Sequence, residues 1–97
     1  MEVNIKAIHF DATERLSEFV NKKAERLARR FPTISTMDVS MKVVKPETSM
    51  NKDVTVKVVI PQCPEMVANK VADSFEEAFD KAVEAIEHQL EKQKNAK

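Results

Sequence analysis

The sequence predicts an α+β fold in the order β-α-β-β-β-α, a four-stranded sheet with two helices packed on one face. Four short stretches alternate apolar and polar residues with a period of two, and two longer ones repeat apolar residues at spacings of three and four. Capping or turn-forming residues separate them. Two helices with a single apolar stripe each can bury those stripes only against one face of the sheet. With 97 residues, the chain is expected to form a single domain over 1–97, since one hydrophobic core of this size is already at the small end of the range.

The first strand is expected at Glu2 to Ile8, where Val3, Ile5 and Ala7 share a face. Asp11 or Thr13 can then cap a helix whose stripe is Leu16, Phe19, Val20, Ala24, Leu27 and Phe31, and Pro32 ends it. Met37, Val39, Met41 and Val43 alternate with Asp38, Ser40, Lys42 and Val44. After a polar turn around Pro46 to Lys52, the pattern resumes at Val54, Val56, Val58 and Ile60, so these two strands form a hairpin. Pro61 and Pro64 bracket a loop holding Cys63. A fourth strand follows from Met66 to Val71, and its register stays open: either Met66 and Ala68 face inward with Lys70, or Val67 and Val71 do with Asn69. Ser74-Phe75-Glu76-Glu77 is a capping box, and Phe75, Ala78, Phe79, Ala82, Ile86 and Leu90 carry the last helix to about Lys92.

Composition excludes several function classes. There is no glycine, so phosphate cradles, dinucleotide turns and the clamp loop of KH domains are ruled out, because all of them need glycine's backbone freedom. No apolar run is long enough to span a bilayer, and Met1 to Phe10 lacks the plan of a secretory signal. A single cysteine forms no internal disulfide. These features predict a cytoplasmic protein without membrane partner, small-molecule substrate, metal or cofactor. His9 and His88 lie far apart, neither Cys63 nor any serine has an evident base, and no C-x-x-C or H-E-x-x-H spacing occurs. The protein is expected not to be an enzyme.

Sixteen basic residues balance sixteen acidic ones, so only their distribution is informative. Lys22, Lys23, Arg26, Arg29 and Arg30 face only Glu25 in their segment. Asp73, Glu76, Glu77, Asp80, Glu84, Glu87 and Glu91 oppose only Lys81 further on, before Lys92, Lys94 and Lys97. At 100° per residue, Arg15, Lys22, Arg26 and Arg29 fall within about 60° of one another, away from Leu27 and Phe31. Glu18 to Lys22 and Glu25 to Arg29 are i,i+4 spacings that suit a solvated helix face, whereas clustered guanidinium forks suit phosphate oxygens. On helix two, Lys81, His88 and Lys92 line one flank and Glu76, Asp80, Glu84, Glu87 and Glu91 another. If the cationic flank lies toward helix one, the helices present a continuous basic ridge of the width of a folded RNA backbone. The acidic flank then points away, or toward a protein partner. Lys6, Lys42 and Lys57 share the uncovered sheet face with Ser40 and Thr55. The phenylalanines Phe10, Phe19, Phe31, Phe75 and Phe79 sit in helical stripes or beside a strand, which leaves the sheet without a base-stacking platform.

Asp73-Ser74-Phe75-Glu76-Glu77-Ala78-Phe79-Asp80 followed by Gln89-Leu90-Glu91-Lys92-Gln93-Lys94, the start Val3-Asn4-Ile5, and the helix from Thr13-Glu14-Arg15-Leu16 to Phe31 together resemble one family. It is that of the ribosome hibernation-promoting factors, also called ribosome-associated inhibitors or sigma-54 modulation proteins, and the likeness spans the whole chain. The resemblance implies a domain that binds ribosomal RNA in the decoding channel of the small ribosomal subunit. There it blocks translation by occluding messenger and transfer RNA, in stress and stationary phase. It implies RNA contacts at Lys22, Arg26, Lys81, His88 and Lys92, with Lys23, Arg29 and Arg30 as neighbours. His88 stands where the family usually has arginine, and Ala85 where lysine is common. Histidine is only partly charged near neutrality, so weaker or more pH-sensitive binding is expected. The absence of an extra C-terminal domain resembles the short class, with a monomer expected when free. The competing expectation is a protein-interaction module that uses the acidic flank of helix two and no RNA.

Overall fold

The structure is a computed structural model that describes residues 1–8, 13–44 and 50–95, with side chains up to Lys92 in the last helix. His9, Phe10 and Asp11, most of the turn begun by Pro46, and the Lys94 and Lys97 side chains lie outside the described residues.

The elements run β1 (Glu2–Ile8), α1 (Glu14–Arg30), β2 (Thr36–Val43), β3 (Lys52–Val59), β4 (Met66–Ala72) and α2 (Phe75–Asn95), the predicted order. The sheet order is β1-β2-β3-β4, with β1 parallel to β2 and the other pairs antiparallel. A parallel pair needs a crossover, and α1 supplies it. Both helices lie on one side. Val39, Met41, Val54, Val56 and Val58 of the sheet are essentially inaccessible beneath Val20, Ala24, Leu27, Phe79, Ala82 and Ile86.

Local chemistry sets the ends. Thr13 caps α1 by accepting the Leu16 N–H at 3.1 Å, which answers for a donor that has no partner inside the helix. Arg29 and Arg30 occupy the last turn, where the helix dipole favours cations. Ser74 Oγ accepts the Glu77 N–H at 3.1 Å, the N-cap half of the expected capping box, and the Glu77 carboxylate lies 3.4 Å from Lys81 Nζ. α2 continues to Asn95, about a turn beyond the predicted end. With no glycine available, Met50 (φ 54°) and Gln62 (φ 67°) take the left-handed turn positions, at roughly 1–2 kcal/mol each.

The register of β4 is resolved. Met66 and Ala68 are buried, Val67 is half exposed, and Lys70 pairs opposite the fully buried Val54, so Met66, Ala68, Lys70 and Ala72 form the inward row. Lys70 remains exposed because β4 is an edge strand. On the open face, Lys6, Ser40, Thr55 and Asn69 form one row across the sheet. Asn69 Nδ2 donates to Asp53 Oδ1 at 2.7 Å and to Thr55 Oγ1 at 2.8 Å, and Asn4 Nδ2 donates to Asp38 Oδ1 at 2.9 Å. This face is polar along that row and internally cross-linked, carries Val67 and Val71 of β4 beside it, and is free of aromatic side chains among the described residues, as the sequence implied.

Candidate nucleic-acid interface

The eight cationic positions singled out in the sequence do not form one band. Packing puts them in two groups, separated by a seam where the helices meet. Phe19 meets the buried Phe79 edge-on, with ring centroids 6.2 Å apart and planes at 69°, which fixes how α2 is rotated against α1. That rotation turns the acidic flank of α2 toward α1. Lys23 Nζ lies 3.1 Å from Asp80 Oδ1 and 5.7 Å from the Phe19 ring centroid. Arg30 Nη1 lies 3.1 Å from Glu87 Oε2, its Nη2 bonds Glu91 Oε1, and its guanidinium stacks over Phe31 at 5.4 Å. The continuous basic ridge expected if the cationic flank of α2 faced α1 is therefore corrected. The carboxylates face α1 in the rotation that buries the Phe79, Ile86 and Leu90 stripe.

Lys22, Arg26 and Arg29 are exposed on the outward side of α1 and make no ion pair among the described residues. Neither Glu18 nor Glu25 bridges to them, so the i,i+4 support expected on α1 does not form. Arg26 borders a depression of about 370 Å³ together with Lys23, Asp80 and Glu87, above the seam. Arg29 lies on the other flank, beside Met1, Val3 and Glu25 over β1.

Lys81, His88 and Lys92 are exposed on the far flank of α2. Lys81 Nζ is 3.4 Å from Glu77 Oε1, one turn earlier. Lys81 and His88 border a second depression, of about 280 Å³, with Glu84, Ala85 and Lys70. Lys70 borders this depression too, and sequence reasoning did not single it out. The signal for it was the inward register of β4, which the sequence left open.

No three His, Cys, Asp or Glu side chains gather as a metal site among the described residues. The half-buried Cys63 lines an apolar cavity of about 590 Å³ with Phe31, Ile60 and Leu90, apart from His88. No described helix is long and apolar enough to cross a membrane.

Fold and site together define a small α+β protein whose helical layer presents cations to solvent, over a sheet that offers no stacking surface. The chain belongs to the sigma 54 modulation protein / S30EA ribosomal protein family, whose pattern matches residues 3–97. It is similar to the ribosome hibernation promoting factor of Pseudomonas putida, 32% identical over 94 residues, covering 97% of this chain and 87% of the relative. It is also similar to that of Azotobacter vinelandii, at 31% identity, 97% and 83%. Among solved structures, a ribosomal subunit interface protein from Coxiella burnetii superposes with a TM-score of 0.87 at 23% identity, covering 99% of this chain and all of the other (100%). The N-terminal domain of Thermus thermophilus Protein Y gives 0.79 at 18%, covering 95% and 98%. At these identities the two structures establish the fold. The family consists of ribosome-associated factors and not of enzymes.

Proposed function

We propose that this chain binds the small ribosomal subunit through phosphates of its ribosomal RNA, occupies the decoding channel, and blocks translation by excluding messenger and transfer RNA. The observation that carries the reading is the set of exposed side chains Lys22, Arg26, Arg29, His88 and Lys92, which have no carboxylate partner among the described residues on the solvent side of the helical layer. A neutral protein can still draw a polyanion to a surface where unpaired cations stand, here in two groups on either side of the seam. Lys81 joins this set at the cost of sharing its charge with Glu77. Lys23 and Arg30 reach RNA only by leaving Asp80, Glu87 and Glu91, so they are placed at the edge of the contact. The resemblance of relatives named as hibernation factors supports the same reading.

The acidic flank does not favour the competing protein-interaction module, because three of its carboxylates are engaged by α1. Co-sedimentation of the protein with purified small subunits across a salt series tests the proposal. Displaced counterions make affinity fall steeply with salt, by roughly 0.7–0.9 logarithmic units per phosphate contacted for each tenfold rise. In a cell-free translation reaction the same protein should inhibit in proportion to its subunit occupancy. Protein that stays at the top of the gradient at low salt, or binds without regard to salt, would overturn the reading.

A further inference from the structure

We infer that the depression over Ala85 is a seat for a single phosphate group, and that Lys70 of β4 is a phosphate-binding residue of the ribosomal contact. The inference rests on the function proposed above and adds to it a ligand position and a residue from the sheet.

Four observations meet there. Lys70 stands in the inward row of β4, opposite the fully buried Val54, where an apolar residue would normally cover the core. It lies at the sheet edge, so its stem can run outward past α2 and deliver its ammonium to the surface beside the helix. Ala85, one methyl group long and half-buried against the core, leaves the helix surface open at that point, with Lys81 one turn before it and His88 about one turn after. The space of about 280 Å³ is ample for a phosphate with water, given a share of roughly 30 Å³ per water molecule. Neither Lys70 nor His88 has an ion-pair or hydrogen-bond partner among the described residues, and the Lys81 ammonium keeps donors to spare beside Glu77. Glu84 also lines the depression and works against an anion, as does Glu77 beside Lys81.

An inward-pointing charge on an edge strand also guards against edge-to-edge pairing of sheets. The two roles separate in Lys70→Glu, which keeps a charge on the edge and reverses its sign toward phosphate. Lys70→Met serves as a second variant, with thermal unfolding confirming that both retain the fold. On small subunits, Lys70→Glu is expected to lower affinity about tenfold and flatten the salt slope by about one, with Lys70→Met intermediate and Glu84→Gln tightening binding. Separately, inorganic phosphate titrated into the free protein should move the backbone amide resonances of Lys70, Ala85 and His88, and should cease to do so in Lys70→Glu.

Unchanged affinity and slope in Lys70→Glu, with the wild type bound, would overturn the seat and leave the ribosomal function standing. A wild type that ignores subunits while phosphate still moves those amides would sink the ribosomal function and keep the seat as one for free phosphate. Silent amides together with an unaffected Lys70→Glu would refute the seat in either setting.

Discussion

The two flanks of α2 carry opposite charge and have opposite fates. Toward α1, Asp80, Glu87 and Glu91 meet Lys23 and Arg30, and cations from one helix are spent on carboxylates of the other. Toward β4, Lys81 and His88 meet Lys70, and of these three only Lys81 has a carboxylate partner among the described residues, Glu77 on its own helix. The same residue type is thus a fastener on one flank and a free contact on the other. What decides between them is the neighbour brought up by a different element. The seam itself adds little stability. Its side chains are one-third to one-half exposed, and ion pairs of that kind contribute at most about 1 kcal/mol each. The helices are held by the apolar stripe beneath.

The largest test of that division is Phe79→Ala. Removing a fully buried ring that contacts Phe19 should cost about 3–5 kcal/mol in urea unfolding and abolish both flanks together. A loss below about 1 kcal/mol would mean that the rotation of α2 is set elsewhere. Next comes reversal of the free cations. Lys22→Glu, Arg26→Glu and Lys92→Glu combined should weaken subunit binding by roughly 100-fold or more at low salt and flatten its salt slope by about three, while stability changes by less than about 1 kcal/mol.

Arg30→Met sharpens the contrast from the other side. It should lower stability by about 0.5–1 kcal/mol and leave subunit affinity within about threefold of wild type. A tenfold loss of affinity would instead make Arg30 an RNA ligand that abandons Glu87 and Glu91 on binding. The smallest effect is expected of His88→Arg. A permanently charged, forked guanidinium beside Lys81 should raise affinity about two- to fivefold in the same co-sedimentation series.

Most of the fold could be read before any coordinates, because periodicity and caps are local. The alternation Met37-Val39-Met41 and the Ser74 box each declare an element within a few residues. The β4 register could not be read that way, since Met66 and Ala68 compete with Val67 and Val71 for the inward row. The choice falls to the helix that covers them. The positions of the cations were equally legible along each helix, but their pairing was not. Lys23 with Asp80 and Arg30 with Glu87 are long-range contacts fixed by the Phe19 and Phe79 packing. Lys70 escaped notice for the same reason, because a lysine in an inward row announces a surface residue only once the strand is known to be an edge.

The parallel pairing of β1 with β2 has a consequence for how the chain is made. Residues 34 apart, such as Asn4 and Asp38, must meet to close it, whereas β2, β3 and β4 follow one another as a meander with short connections. Closing the longer loop costs more chain entropy, so the meander has the advantage of forming first. The strand synthesised earliest is then the one that docks late, waiting on a finished α1 and a β2 already in place.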